Sequence, residues 1–260
     1  YRLSPESGSL YPPSTLPEGF TSDKRTVVYT PQSHSSMMWG MPDGKGHTVL
    51  VESSELGDDT WETPRKVGSA LNDGGNADFP FVMSDGITLY YASDGDGSLG
   101  GYDIFISRRE DNEFLAPQNI GMPYNSPYDD YLLAIDELTG VGWWATDRNR
   151  IEGKVTIYKF IPSDLRVNYS VEEPGLTDFA RISSIRSTWK PGADYADLLK
   201  KIENMTDDED VVARDFELGF PDGRVYTTWD DFRNPTARRK MEQYVDASAD
   251  FNDLTVELDG

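Results

Sequence analysis

The stretch D-F-P-F-V-M-S-D-G-I-T-L-Y-Y-A-S-D-G-D-G-S-L-G-G-Y-D-I-F, residues 78–105, decides the fold. It contains one run of β-forming residues at 87–92 and leads into a second at 102–107, each bounded by turn residues. β-Branched and aromatic residues favour strands, whereas Gly, Asp and Ser favour the turns between them. The stretch therefore predicts two strands joined by a glycine-rich loop.

The same pattern recurs 53 residues further along the chain. Residues 61–107 align with this second copy, in which 141–146 and 155–161 repeat the two predicted strands, and a less regular copy occupies 17–60. The matched positions include Pro64 with Pro117, Val67 with Ile120, Gly68 with Gly121, Asn72 with Asn125, Tyr90 and Tyr91 with Trp143 and Trp144, and Asp94 with Asp147. Repeated units of about 40–55 residues with several strands each indicate the blades of a β-propeller.

The quoted stretch resembles the WD40-like propeller repeat of TolB-type proteins. That family's repeat has a Pro before the strand, then S-P-D-G, an aromatic strand, a glycine loop and D-I-Y or D-I-F. Here Met83 stands where the family has Pro, and the copy at 130–158 has D-E-L-T-G at its turn. The resemblance implies about three blades and covers a little over half of the chain.

The repeat and the resemblance together predict a mainly β protein with a smaller α+β segment at its end. We expect three regions, which are an N-terminal extension at 1–16, propeller-type blades at 17–163 and a C-terminal α+β segment at 164–260. Within the last region, we predict strands at 166–171 and 179–185, an amphipathic helix at 192–205, a hairpin at 216–229 and a final helix that begins after Asn234 with Pro235 at its first position.

The tail also resembles the segment that follows the propeller in envelope proteins of Bacteroidetes-type bacteria, through its hairpin and the D-D-F-R-x-P-x-A-R-R pattern at 230–239. This resemblance implies a periplasmic or outer-membrane-associated location. The chain begins Y-R-L-S-P-E, with neither an initiator Met nor an apolar signal region, so we expect it to be an excised or processed piece.

The glycine-rich loop admits a calcium interpretation, since Asp94, Asp96 and Ser98 alternate as ligands do in a calcium loop. The twelfth position of such a loop should be Glu, but it is Phe105 here. The equivalent loop of the next copy carries two basic residues, Arg148 and Arg150. A ring of repeated calcium sites is thereby excluded, while a single cation at Asp94 and Asp96 stays open.

A phosphate-binding interpretation of the same loop fails, because its glycines lie between two strands and a phosphate loop opens a helix. A hairpin loop fits the pattern best. Glycine adopts positive φ at little cost, and Asp forms hydrogen bonds with its own turn. We therefore predict a turn at 93–101.

The net charge of −22, from 24 basic and 46 acidic residues, makes nucleic-acid binding improbable. Such an acidic surface either only keeps the protein soluble or attracts cations or a basic partner. The absence of Cys excludes disulfides and thiolate metal sites. No apolar run approaches the roughly 18 residues that a membrane span needs. We expect no cofactor and no metal site.

Candidate catalytic residues are few. The two histidines, His34 and His47, lie in the irregular first copy, no G-x-S-x-G nucleophile motif is present, and we expect both histidines at the surface. A glycosidase pair of carboxylates leaves no mark in a sequence. Trp143 and Trp144 are adjacent on a predicted strand, so they face opposite ways, one into the blade and the other between blades or toward the channel.

Two functional hypotheses follow from the sequence. The first is a non-catalytic binding or scaffold propeller of the bacterial envelope that engages a protein or peptide partner. The second is a carbohydrate-active or peptidase-associated propeller enzyme, which requires a pocket with two carboxylates and a perturbed pKa. The missing catalytic motif favours the first hypothesis, and no catalytic residue is assigned.

Overall fold

The structure is a computed structural model that describes most of the first 162 residues and shorter pieces beyond them. The described residues are 3–57, 60–72, 74–111, 113–150, 154–162, 172, 174–176, 180, 192, 194–197, 199–200, 218–219, 225–226, 232, 234 and 236–241. The chain divides into two compact units, Tyr1–Tyr195 and Ala196–Gly260. The first unit contains three antiparallel sheets, so the predicted mainly β fold is confirmed.

The first sheet contains six strands, and its chain order is a meander. The strands are β1 (Ser9–Tyr11), β2 (Val28–Thr30), β3 (Ser36–Pro42), β4 (Thr48–Gly57), β5 (Thr60–Trp61) and β6 (Arg65–Lys66). They are ordered β1-β2-β3-β4-β5, and β6 also pairs with β4. The predicted N-terminal extension thus contributes β1, which pairs antiparallel with β2.

The second and third sheets repeat one another. The second contains β7 (Ala77–Val82), β8 (Thr88–Ser93), β9 (Asp103–Glu110), β10 (Glu113–Phe114) and β11 (Gln118–Asn119), and the third contains β12 (Asp130–Asp136), β13 (Val141–Thr146) and β14 (Thr156–Phe160). Strands β12, β13 and β14 begin 53 residues after β7, β8 and β9. The predicted repeat spacing and its paired strands are confirmed.

The repeat extends to an irregularity of the backbone. The register of β7 against β8 shifts between Asp78 and Phe81, and that of β12 against β13 shifts between Tyr131 and Ala134. Within these bulges, Phe79 (φ 54°) and Leu132 (φ 55°) lie 53 residues apart in the left-handed region. The sequence analysis predicted neither β7 nor β12. In β7 the reason is Pro80, because Pro is depleted in strands and is tolerated at bulges.

Apolar layers between the sheets form the core. Leu50 of the first sheet and Leu89 of the second belong to one cluster, and Phe81 of the second and Trp144 of the third belong to another. Full burial of such a side chain contributes roughly 1.5–3 kcal/mol. Trp143 and Trp144 are both buried, at 7% and 3% exposure, as predicted for core residues of a central strand.

The second unit is described in fragments. Strands β15 (Leu218–Gly219) and β16 (Val225–Tyr226) pair antiparallel, which confirms the predicted hairpin. Residues 236–241 are helical, and Asn234 Oδ1 accepts the Thr236 N–H bond at 2.9 Å, so the predicted final helix is confirmed.

The remaining predictions for the C-terminal segment are tested only in part. Residues 196–197 and 199–200 are helical within the predicted helix at 192–205. The strand predicted at 166–171 lies outside the described residues. Of the strand predicted at 179–185 only Ala180 is described, and it is helical, so the prediction is wrong at that residue. No helix in the described part of the chain is long and apolar enough to cross a membrane.

Candidate functional site

The three sheets of the first unit meet at a cavity of about 290 Å³. Each sheet contributes residues at or before one of its strands. Asp23 and Arg25 precede β2, Asp78 and Phe79 lie in β7, and Asp129 precedes β12. The full set of lining residues is Asp23, Arg25, Asp78, Phe79, Tyr102, Asp129 and Tyr131. Residues that are more than 100 positions apart in the chain therefore converge on one site.

Three aromatic rings form one wall of the cavity. Phe79 is central, with its ring centroid 4.9 Å from that of Tyr131 and 5.8 Å from that of Tyr102, whose ring meets it edge-on. Phe79 has the left-handed φ of the β7 bulge, and a bulge changes the direction of a side chain relative to its strand. The repeated bulge is therefore the backbone feature that directs the Phe79 side chain toward the cavity.

Asp78 is the buried acid of the cavity, with 2% of its surface exposed. Its Oδ1 accepts hydrogen bonds from the Thr26 hydroxyl and the Phe79 N–H, and the Thr26 hydroxyl accepts one from the Gly40 N–H at 2.9 Å. Among the described residues, no donor reaches Oδ2. Burial raises the pKa of Asp78 to about 6, against the opposing effect of its hydrogen bonds.

Gly40 is required beside this carboxyl group. A Cβ atom at position 40 would lie 2.3 Å from Asp78 Oδ1 and 2.8 Å from Oδ2, which is far inside van der Waals contact. The first sheet thus approaches Asp78 through bare backbone. The Thr26, Gly40 and Asp78 contacts connect the first and second sheets at the floor of the site.

The other charged groups of the cavity are two carboxylates and one guanidinium. Asp129 Oδ1 accepts the Tyr102 N–H bond at 2.9 Å, and Asp23 Oδ1 accepts the Arg25 N–H bond at 2.9 Å. Arg25 forms no ion pair within the part of the chain that the structure describes. Three carboxyl groups against one cation give the cavity a negative potential, which attracts cationic groups.

The glycine-rich loop is a turn, as predicted. Ser98 N–H donates to Gly95 O at 3.1 Å, and Gly97 has a φ of 88°. Both carboxylate oxygens of Asp94 accept hydrogen bonds from Asn76, at 2.6 and 2.7 Å. Across the described residues, no group of three or more His, Cys, Asp or Glu is arranged to hold a metal ion.

The arginine that the sequence analysis assigned to the equivalent loop is buried. Arg148 forms an ion pair with Asp130 at 2.6 Å, and the side chains of the two residues are 4% and 0% exposed. Its remaining N–H groups donate to the Thr146 hydroxyl and to the carbonyl oxygens of Pro123, Tyr124 and Ala180. The guanidinium therefore joins β12, β13 and the segment that leads into them.

The histidines lie apart from the cavity. His34 precedes β3 and His47 follows the turn after it, so the two lie at opposite ends of that strand. Both are exposed, which confirms the prediction of surface histidines. Neither residue lines the cavity.

The sequence analysis did not single out any residue that lines the cavity as a candidate site residue. The available signal was weak, since D-F-P at 78–80 marks an acid and an aromatic at an irregular position of a strand, but Asp23 and Asp129 are two of many acidic residues. Only the packing of the sheets distinguishes these acids from the others. No family model and no curated protein matches this chain.

Proposed function

We propose that this chain is a non-catalytic binding protein built from propeller-type blades, and that it holds a protein or peptide partner at the three-sheet cavity. The main support for this proposal is that residues from all three sheets line one aromatic and acidic cavity. Binding residues concentrate where a rigid scaffold gathers loops from several repeated units. Here the cavity residues are held by backbone hydrogen bonds within and between the sheets.

The arrangement of the sheets supports propeller-type blades. Each sheet is an antiparallel meander whose first repeated strand contacts the neighbouring sheet, and β2 and β12 both contact β7. The shared bulges at Phe79 and Leu132 give the inner strands of two blades one geometry. A radial arrangement of such units gathers one strand of each unit around a common axis, and a cavity lined from three sheets is consistent with it.

The proposed location is the bacterial envelope, in the periplasm or at the outer membrane. Its support is the resemblance of the D-G-containing repeat at 78–105 to that of TolB-type proteins. The net charge of −22 supports a partner with a basic surface, since a strongly acidic protein attracts cationic surfaces over several ångströms of solvent.

A second candidate function, glycoside hydrolysis, is favoured by one observation. The raised pKa of Asp78 is the property of a general acid, and the Asp23 and Asp129 carboxylates line the same cavity. However, Asp78 Oδ1 is already held by Thr26 and by its own strand, and Asp103, which does not line the cavity, has a pKa raised further by burial. Burial of acids is thus general in this fold, and binding is the better supported function.

A site-specific cross-linking experiment in native envelopes tests the proposal. The photoreactive residue p-benzoyl-phenylalanine replaces Tyr131 in the cavity wall, and Leu138, which is 71% exposed in the turn after β12, provides the matched control. We expect a discrete adduct with one protein from position 131 and none from position 138. Equal labelling from both positions, or no adduct from position 131, overturns the proposal.

The enzyme alternative has its own assay. Purified wild-type protein and an Asp78→Asn variant are incubated with a panel of chromogenic glycosides and peptides. Turnover by the wild type that is lost in the variant replaces the binding proposal with the hydrolase. Absence of turnover, together with the adduct at position 131, supports the binding protein.

A further inference from the structure

We infer that the three-sheet cavity accepts the cationic end of one lysine or arginine side chain from the partner. This inference rests on the proposed function and names the chemistry by which the partner is recognised. Three features of the cavity carry it, which are its charge, an unoccupied acceptor atom and its aromatic wall.

The charge of the cavity selects a cation. Asp23, Asp78 and Asp129 outnumber the single guanidinium of Arg25. Inside a partly enclosed cavity this imbalance acts through a lower dielectric constant than in water, so a cationic ligand gains and an anionic ligand loses. Lysine and arginine are the side chains that bring a full positive charge.

Asp78 provides an acceptor that the protein itself leaves unused. The residue is 2% exposed, and both of its hydrogen bonds end on Oδ1. Oδ2 receives no donor from the described residues, so a donor that enters the cavity gains a strong charge-assisted hydrogen bond with it. Because Asp78 lines the cavity and is otherwise enclosed, the cavity is the route by which that donor arrives.

The aromatic wall suits the same ligand. A lysine ammonium or an arginine guanidinium is attracted to the face of an aromatic ring within about 6 Å of its centroid. The centroid of Phe79 lies 4.9 Å from that of Tyr131 and 5.8 Å from that of Tyr102, and all three rings line the cavity, so a cation that enters it meets a cluster of aromatic rings. Their apolar surface also packs against the methylene stem of a long side chain.

The size of the cavity limits the ligand to a single side chain. Its volume of about 290 Å³ lies at the lower end of the range for small-molecule sites. A polypeptide strand does not fit such a volume, whereas one extended lysine or arginine side chain does. The partner therefore inserts one cationic residue, while its remaining contacts lie on the rim.

Short peptides provide the probe for this inference. Acetyl-Gly-Lys-Gly-amide and acetyl-Gly-Arg-Gly-amide are titrated into the full chain at pH 7.5, with acetyl-Gly-Gln-Gly-amide as the neutral match, and binding is followed by NMR. We expect saturable binding of the two cationic peptides and binding of the glutamine peptide at least about tenfold weaker, as the loss of a charge-assisted contact predicts.

Matched variants locate the binding. Asp78→Asn keeps the acceptor that Thr26 and Phe79 use but replaces Oδ2 with an amide donor, so we expect it to weaken cationic peptide binding at least about tenfold. Asp111→Asn removes the same charge from an exposed position with a φ of 48°, which Asn tolerates, and we expect binding within about twofold of wild type.

Each result decides the inference separately from the proposed function. Three outcomes overturn the inference of a cationic ligand. They are equal binding of the lysine and glutamine peptides, equal loss of binding in the two variants, and binding of N-acetylglucosamine but of neither cationic peptide. In each of these cases, a specific adduct from position 131 leaves the binding function standing. Loss of that adduct with retained cationic peptide binding overturns the function and not the chemistry of the cavity.

Discussion

Asn72 and Asn125, which lie 53 residues apart, form the same pair of hydrogen bonds with a neighbouring strand. Asn72 accepts the Leu50 N–H bond at 2.8 Å and donates to the Leu50 carbonyl oxygen at 3.3 Å. Asn125 does the same to Ile104, at 2.8 and 2.8 Å. Both carbonyl oxygens also accept a backbone N–H bond, so each amide supplies the acceptor for the N–H group and a second donor for the carbonyl group, which gives the matched asparagines of the repeat a physical reason.

Replacement of Asn125 by Ala is expected to destabilise the first unit by roughly 1–3 kcal/mol, because it leaves the buried N–H group of Ile104 without an acceptor, while the Ile104 carbonyl oxygen still accepts the Ile120 N–H bond. Urea unfolding, followed by tryptophan fluorescence, measures the effect. Asn149→Ala is the control, since its side chain is exposed and donates only to the Thr156 hydroxyl, and we expect a change of about 0.5 kcal/mol or less. Equal effects of the two substitutions contradict the assigned role of Asn125.

Replacement of Arg148 by Lys is expected to cost roughly 3–5 kcal/mol although the charge is kept. A guanidinium contacts Asp130 and the surrounding carbonyl oxygens at once through its planar set of N–H groups, and a lysine ammonium lacks this geometry. Arg150→Lys, which alters an exposed arginine over the Tyr128 ring, is the matched substitution, with about 1 kcal/mol or less expected. Chemical denaturation measures the free energy of unfolding of both variants. A loss for Arg148→Lys that is no larger than that for Arg150→Lys contradicts the prediction.

Asp103 is expected to make the fold more stable at pH 5 than at pH 7.5. Burial raises its pKa to about 7, with smaller and opposite contributions from Asp130 and Arg148, and its Oδ1 has no hydrogen-bond partner. The folded state therefore binds the proton more tightly than the unfolded state, and stability falls as pH rises from about 4 through 7. The contribution between pH 5 and pH 7 is roughly 2 kcal/mol.

The control for this pH dependence is Asp103→Asn, which cannot titrate. We expect the rise in melting temperature between pH 7.5 and pH 5 to become smaller in this variant, although Asp78 still contributes in the same direction. An unchanged pH profile in Asp103→Asn means that other groups cause it.

Asp78→Asn is expected to stabilise the fold while it removes the cationic binding. The pKa of Asp78 is raised to about 6, so at pH 7.5 the folded state contains a charged group that its surroundings disfavour. The amide avoids this cost, and we expect a gain on the order of 2 kcal/mol at pH 7.5 that falls to about half at pH 5, where the carboxyl group of the unfolded state is still largely ionised. Thermal unfolding at the two pH values tests this, and a loss of stability at pH 7.5 contradicts it.

Part of the fold was predictable because it depends on local patterns. Strands β8 and β13 were predicted from runs of β-forming residues between turn signals, and the hairpin after Leu218 from its P-D-G turn. Strand β7 was not predicted, because Pro80 is a poor strand residue and the bulge that accommodates it forms only against β8. Arg148 lies in the turn after β13, as predicted, but its burial was not predicted, because nothing local indicates that Asp130 binds it 18 residues away.

The β class, the 53-residue repeat and the turn at the glycine-rich loop follow from the sequence alone, since each depends on residue type and on spacing along the chain. The tertiary structure alone decided which acids form the cavity. Asp23, Asp78 and Asp129 are ordinary aspartates in the sequence, and they become one site only when the three sheets pack together. Burial and charge at a site are properties of that packing, because both depend on neighbours that are distant in the chain.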